Sequence, residues 1–583
     1  MEKLVNLKIN GIAVSVPSGT TILEAAKKAK INIPTLCHLK HINAIGSCRI
    51  CLVEVKNGRP PVVAACVYPV AENMEVITNS KKIMDMRKRN LELILSTHTR
   101  KCLSCYKSTT CKLQALANEY GCDELAYNGS LPERKIDESH PSLVRDTGKC
   151  ILCKRCKAVC SQVQTVKAID VNNRGFESYL GCAFGKDIAQ TGCVGCGQCT
   201  LVCPCGALTE KNDVEKIIQA LNDPEKIVVA APAPSVRVAL GEEFGQPIGT
   251  NCEGKLARSL RMIGANYVFD VDYGADMTIV EEANELIERV TNKGVLPMIT
   301  SCSPGWVNFL TTFYPEFIQN LSTTKSPQNI LGSAIKTYWA EKNKIDPKKI
   351  FFFTVMPCTA KKTEIIGRDN ALDKQNIYDV DATITVREYA HLLKRLSIDF
   401  NNLPDDKFDD PLGESTGSAI IFGASGGVME AAIRTAVDKL SGKSVAHLDY
   451  KKVRGFKGIK EANVKVGNTT INVCVASGLG NARQVLENIK SGKKQYHFVE
   501  IMACPNGCIN GGGMPIHDPD LVDFSTRAKL RAKSLYKDDK QKTIRKSHEN
   551  KAILTMYKDY FEKPGSHKAH HALHTSYKPK NHI

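Results

Sequence analysis

Two short cysteine runs repeat one another: Cys150-x2-Cys153-x2-Cys156-x3-Cys160, and Cys193-x2-Cys196-x2-Cys199-x3-Cys203-Pro204. This spacing constrains the chain more than anything else in it. Each run bends the backbone around one face of an iron–sulfur cube, so both halves of the segment must be built around metal. The chain has 24 cysteines in 583 residues. A disulfide framework suits small secreted domains, and this chain is not small. Reduced cysteines in tight clusters mean metal.

The repeat resembles the bacterial two-cluster ferredoxins, in which the fourth cysteine of each run ligates the other cluster. That pattern implies one 4Fe–4S cube on Cys150, Cys153, Cys156 and Cys203, and a second on Cys193, Cys196, Cys199 and Cys160. Upstream stand Cys37, Cys48-x2-Cys51 and Cys66. A close pair with one cysteine before it and one well after suits a 2Fe–2S cluster, because each iron takes two thiolates. Zinc more commonly uses two close pairs. The alternating runs Leu4–Ile9 and Ile12–Val16 flank Asn10-Gly11, a hairpin signal, and Thr21–Ala29 reads as a helix. The segment resembles a plant-type ferredoxin β-grasp domain, although its first two spacings differ. After a predicted helix over Lys82–Leu95 comes His98-x3-Cys102-x2-Cys105-x5-Cys111. One imidazole and three thiolates can hold a 4Fe–4S cube, with zinc the structural alternative. The same order of modules opens the large iron–sulfur subunit of respiratory complex I. Four cofactors in series make a wire, which implies an electron source at one end and chemistry at the other.

The length requires several domains. No stretch approaches the ~20 apolar residues that cross a bilayer. No signal segment is visible at Met1–Val14, so a cytoplasmic protein is expected. Net charge is +18, and residues 527–583 hold 15 Lys/Arg against 5 Asp/Glu. No aromatic-rich nucleic-acid motif accompanies this charge, so a nucleic-acid partner is not expected. A solvated surface is the ordinary reading, and a basic face can also steer an acidic protein.

From about Asp213 cysteines become sparse. Strand-like runs such as Ile227–Ala231, Val295–Thr300 and Phe351–Val355 alternate with helical stretches, as in an α/β domain, where catalytic groups sit at strand ends. Three segments end such runs: Thr300-Ser301-Cys302-Ser303-Pro304-Gly305-Trp306, Met356-Pro357-Cys358-Thr359-Ala360-Lys361-Lys362-Thr363-Glu364, and Glu500 to Pro515 with Cys504, Cys508 and Gly511-Gly512-Gly513. Converging thiolates can hold one more cluster, and the glycines permit close backbone approach.

These segments resemble the three signature loops of the iron-only (FeFe) hydrogenases. The second and third match MPCxxKxxE and ExMxCxxGCxxGGGxP at every fixed position, and the N-terminal module order is that of the clostridial enzyme. The resemblance covers nearly the whole chain. It implies reversible reduction of protons to H2 at an H-cluster, a 4Fe–4S cube joined through one cysteine to a two-iron unit with CO, cyanide and a bridging azadithiolate. It implies that Cys358, Cys504 and Cys508 ligate the cube, with Cys508 bridging to the two-iron unit. Lys361 and Ser235 would donate to cyanide. Ala233, Pro234, Met356 and Met502 would pack around the two-iron unit. The family's proton route maps onto Cys302, Glu282, Ser322, Glu285 and Arg289. Glu282, Glu285 and Arg289 stand at i, i+3 and i+7 on a predicted helix and so share one face.

The first loop departs from the family's TSCCPxW. Ser303 stands where the fourth cube ligand is expected, and a hydroxyl is a harder, much less acidic ligand than a thiol. Ser303 as an alkoxide ligand, Cys302 swung in as ligand, or water at that corner are three open readings. Met514 replaces a common glutamine. Cys122, Cys182, Cys205, Cys252 and Cys474 are left as packing thiols.

The expected organisation is an α+β multidomain chain. It comprises a β-grasp 2Fe–2S domain (1–80), a 4Fe–4S domain with one histidine and three cysteine ligands (81–125), a bacterial-type two-cluster ferredoxin domain (140–210), an α/β catalytic H-cluster domain (211–565) and a basic tail (566–583). The implied partners are ferredoxin or a similar acidic carrier and the maturation proteins that insert the two-iron unit. The alternatives are a catalytic subunit of an NAD-linked, electron-bifurcating complex, whose flavin would lie in partner subunits, and a non-catalytic iron–sulfur protein.

Overall fold

The segments Leu4–Ile9 and Ile12–Pro17 pair antiparallel across Asn10 and Gly11. Their φ values of 48° and 84° supply the left-handed backbone that a tight hairpin needs. This computed structural model describes residues 3–56, 60–123, 126–127, 131–366, 369–466 and 469–580. The hairpin is one edge of a five-stranded sheet, continued by Met74–Ile77, Leu52–Val55 and Val62–Ala64. Helix Ile22–Lys28 packs its buried Ile22, Leu23, Ala25 and Ala26 on this small core. A helix over Lys81–Ser96 follows, matching the expected one, and delivers the chain to His98.

The cysteine repeat is also a structural repeat. Short helices Arg155–Ala158 and Gln198–Val202 each start behind a left-handed residue, Lys154 at φ 61° and Gly197 at φ 67°.

The catalytic half carries two four-stranded sheets. One is parallel, in the order Tyr267–Val268, Ile227–Pro232, Ile350–Met356, Ala382–Thr385. The other runs Met298–Ile299, Phe498–Met502, Thr469–Ser477, Ile459–Val466, with only its last pair antiparallel. The strand expected over Val295–Thr300 shrinks to Met298–Ile299, since Pro297 has no N–H to give a ladder. Helix Val271–Thr291 packs on helices Pro327–Ala334 and Gly427–Ser441 between the sheets.

A buried network locks the two-cluster domain onto the catalytic half. The Arg387 guanidinium donates to both Glu210 oxygens (2.9 and 2.5 Å), to the Gly512 carbonyl (2.8 Å) and to the Met514 carbonyl (2.5 Å). Removing one partner of a buried pair leaves an uncompensated charge. Arg387→Ala is therefore expected to lower stability by about 3–5 kcal/mol, read as a shifted denaturant midpoint. Asp520 ties in the N-terminal modules, accepting from Thr35 and Lys112 and meeting His38 and Lys27.

The segment expected as a basic tail from residue 566 is docked. His567–Leu573 is helical, and Ala569, Ala572 and Leu573 recur at helical spacing and are buried. Lys325 and Ser333 donate to the Ala572 carbonyl at 2.7 and 2.6 Å. The apolar face outweighs the flanking lysines; residues 581–583 lie outside the described residues. Among the described residues no helix is long and apolar enough to cross a membrane.

Candidate active site and electron-transfer centres

Many of the thiols grouped by spacing stand beside one another in space, Cys105 and Cys111 among them. Cys37 contacts Cys48 and Cys66, and Cys66 contacts Cys51. Cys150, Cys153, Cys156 and Cys203 line one cavity, so the last cysteine of the second run stands with three of the first. Cys160 is the neighbour of Cys196, and Cys199 faces Cys193, Cys196 and Cys160. His98 is buried with Nδ1 unpartnered among the described residues, while its ring bonds the Lys149 backbone. Burial pushes this imidazole down to about 4, so it is neutral at physiological pH. A neutral ring with one unpartnered nitrogen fits a metal ligand.

Two of the thiol sites meet the third. Asn43 donates to the carbonyls of both Cys37 and Cys153, at 2.7 and 3.0 Å, joining the first cluster site to the third. Cys111 Sγ lies 3.7 Å from the Pro204 carbonyl, and a Cβ on Gly206 would meet Cys105 Sγ at 2.8 Å, so the second site abuts the third as well. Cys205, left by the sequence as packing, lines the third cavity and donates to the Lys149 carbonyl at 2.9 Å. Cys182, Cys252 and Cys474 are buried and Cys122 is half-buried.

The fourth site abuts the catalytic loops. Thr359 donates to the Gly195 carbonyl (2.7 Å), Gln198 to the Asn510 carbonyl (2.9 Å) and Gln164 to the Ala503 carbonyl (2.9 Å). Gly512 is forced here: a Cβ would sit 2.4 Å from the Cys196 carbonyl oxygen. Cys504 has Cys358, Cys196 and Cys508 as neighbours.

Beyond them lies an apolar cavity at the strand ends. Ala233, Pro234, Ser235, Cys302, Met356, Cys358, Lys361, Met502 and Cys508 all line it. Sequence reasoning missed Val271, Ala275, Pro327, Gln328, Phe422 and Gly423, which complete its wall. These are ordinary packing residues from separate helices, and no local pattern marks them. The Ser235 hydroxyl is buried without a partner among the described residues. Lys361 Nζ donates to Glu364 at 2.7 Å and to the Cys302 carbonyl at 3.1 Å. A lysine has three donors, so one is left for the cavity. Glu364 is itself held by Ser326 and Gln328, each donating at 2.8 Å. An orphaned hydroxyl, a fixed cation and otherwise apolar walls fit a compact group with anionic ligands.

Ser303 and Cys302 face different ways. Ser303 Oγ accepts from the Ala503 N–H at 3.2 Å, on the Cys504 side, whereas Cys302 lines the cavity and has Glu282 as a neighbour. Trp306 fixes this loop: it is fully buried, and its indole donates to the Thr300 carbonyl at 3.1 Å.

From Cys302 a polar file runs outward. Burial pushes the Cys302 thiol well up, with Glu282 adding to the shift. Glu282 is fully buried, and burial, then the Glu285 charge, raises it to about 8. Ser322 lies beside it and donates to Glu285 at 2.8 Å, and Arg289 donates to Glu285 at 2.5 Å.

Thiol sites leading to one apolar cavity, with Cys302 in its wall and Glu282 beside that thiol, fit an iron–sulfur oxidoreductase. Comparison makes this specific. The family model "Iron only hydrogenase large subunit, C-terminal domain" matches residues 226–512, and "Iron hydrogenase small subunit" matches 525–580, spanning the boundary expected at 566. A "2Fe-2S iron-sulfur cluster binding domain" matches 2–81, and the "NADH-ubiquinone oxidoreductase-G iron-sulfur binding region" matches 87–125. The chain is 44% identical to NADP-reducing hydrogenase subunit HndD of Solidesulfovibrio fructosivorans, over 98% of this chain and 99% of the relative. It is 41% identical to Iron hydrogenase 1 of Clostridium pasteurianum, over 98% and 99%. A solved variant of the [FeFe]-hydrogenase HydA1 from Chlamydomonas reinhardtii superposes with a TM-score of 0.57 at 36% identity, over 63% of this chain and 99% of that one. The chain belongs to the iron-only (FeFe) hydrogenases, and it is a hydrogenase with 2Fe–2S and 4Fe–4S modules.

Proposed function

We propose that this chain reversibly reduces protons to H2 at an H-cluster, with electrons relayed from ferredoxin or a similar acidic carrier. The relay would comprise one 2Fe–2S and three 4Fe–4S clusters on the ligand sets above. The observation that carries the reading is the cavity itself: Cys302, Lys361, Ser235 and the two methionines surround a space whose thiol wall neighbours Cys196 of the last relay site. Cys358, Cys504, Cys508 and Ser303 would hold the cube, and Cys508, lining the cavity, would bridge to the two-iron unit. When bound, that unit supplies an open iron position for hydrogen and an amine base.

The protein's own residues do the rest. Lys361 and Ser235 donate hydrogen bonds that orient the unit's anionic ligands, and Met356 and Met502 exclude water. Cys302 keeps its proton at Sγ because burial disfavours the thiolate. It exchanges that proton with Glu282, which exchanges through Ser322 with Glu285.

The separate orientations of Cys302 and Ser303 favour Ser303 over Cys302 at the cube's fourth corner. Oxygen is a harder donor than sulfur and favours the ferric state. Ser303→Cys is thus expected to raise the cube's midpoint potential, read by a redox titration followed by electron paramagnetic resonance. An unchanged potential would remove Ser303 from the ligand set.

The donor is tested by supplying reduced ferredoxin to matured enzyme without other subunits. Hydrogen evolution supports the reading. Evolution with reduced viologen but none with ferredoxin points to the second reading, a subunit of an NAD(P)-linked complex. That reading is favoured by the 44% identity to a relative named as a subunit of an NADP-reducing hydrogenase.

A further inference from the structure

The polar file has a chemical gap at its outer end. Arg289 stands there, and a guanidinium keeps its proton throughout the working pH range. Arg289 is also pinned: besides Glu285, it donates to the carbonyls of Gln319 at 3.2 Å and Leu321 at 2.8 Å. It is a clamp that holds the Glu285 carboxylate in place. The Glu285 side chain is 13% exposed, and its exchange with bulk solvent would be speeded by a neighbouring base.

The solvent-open groove beside Arg289 supplies one. Arg289, Thr323, His570, His571 and His574 share its wall. The Thr323 N–H donates to Glu285 (3.1 Å), and its hydroxyl lies 2.8 Å from His574 Nδ1. The other His574 nitrogen, Nε2, lies 3.2 Å from a Glu281 oxygen, so the ring is fixed from both sides. His570 stacks on it, with centroids 4.6 Å apart and planes at 10°. His570 and His571 are exposed, whereas His574 is buried. The three histidines are the imidazoles among the described residues of the groove, whose charged side chains are Arg289, Asp369, Asp373 and Lys374; burial, then the neighbouring His574, pushes His570 below the ordinary imidazole value.

We propose that His570 and His571 form the proton-exchange station at the mouth of this route, with His574 as the positioning residue on which the His570 ring stacks. This rests on the hydrogenase reading above. During evolution an imidazolium N–H gives its proton through groove water to the Glu285 carboxylate. The neutral ring is then reprotonated by solvent buffer. Oxidation runs the same transfer in reverse, and no electrons move.

The test uses matured full-length enzyme and viologen-driven hydrogen evolution at low buffer concentration. His570→Gln/His571→Gln is expected to lose about 10-fold or more of the rate, a modest share of what positioned acid–base groups contribute. Added imidazole should restore it while leaving the wild-type rate unchanged, with iron content equal in both. His570→Lys/His571→Lys keeps positive charge but does not titrate near neutrality, and should be equally slow. A double-Gln variant as fast as wild type at low buffer overturns the proposal. So does a loss that imidazole fails to relieve, or full activity in the Lys variant. A wild-type enzyme that makes no hydrogen would instead count against the hydrogenase reading itself.

Discussion

Glu282→Gln should slow hydrogen evolution by about 10²–10⁴-fold, the range that positioned acid–base groups contribute. The carboxyl is fully buried between Cys302 and Ser322, and no other acid among the described residues links them. Glutamine preserves shape but cannot take up and release a proton. Iron content and the paramagnetic signals of the clusters should stay unchanged, since Glu282 belongs to no ligand set. The wild type carries a matching pH signature. Burial and the Glu285 charge raise Glu282 to about 8, so the protonated form prevails below that value. Evolution should therefore fall as pH rises through about 8, and the variant should lose that inflection. A Glu282→Gln enzyme with near-normal turnover would mean that protons reach the cavity by a different route.

Cys508→Ala should abolish hydrogen turnover altogether. Cys508 is the one predicted cube ligand besides Cys358 that also lines the cavity, so it can face both metal units. Alanine removes a thiolate that no neighbour can replace: Cys302 lies on the proton side with Glu282. The accessory sites draw on other cysteines and should stay filled. The expected outcome is a protein with the four relay clusters by iron analysis and paramagnetic resonance, silent in hydrogen evolution. Retained activity would remove Cys508 from the bridge.

Much of this was legible in the sequence because iron–sulfur ligation is written locally. Spacings of two and three residues around a cube are set by the cube, so the ligand runs could be found without a fold. The crossed roles expected for Cys160 and Cys203 were implied by the resemblance to bacterial two-cluster ferredoxins, and each thiol does stand beside the opposite run. The outward file was legible through the resemblance to the hydrogenases, because Glu282, Glu285 and Arg289 on one helix face would by themselves read as ordinary surface charge. What was not legible depends on tertiary assembly. Phe422, Gln328 and Val271 reach the cavity from separate helices and look like any core residues. The grip of Arg387 on Glu210 joins segments far apart in sequence, and so does the hold of Ser326 and Gln328 on Glu364, the partner of Lys361. The C-terminal segment was misread because its lysines count more in composition than Ala569, Ala572 and Leu573 do, although the apolar face decides where the helix goes. Cys205 looked like a packing thiol and lines the same cavity as Cys150, Cys153, Cys156 and Cys203. Ser303 was visible as an anomaly, and only the opposed directions of its oxygen and the Cys302 side chain narrow its role.

The most direct test is hydrogen evolution from reduced methyl viologen by anaerobic full-length protein with all clusters reconstituted and the two-iron unit inserted. Sustained evolution, lost in Cys508→Ala and strongly slowed in Glu282→Gln, is what this account predicts. Loaded wild-type protein that binds the two-iron unit and yet evolves no hydrogen would contradict it.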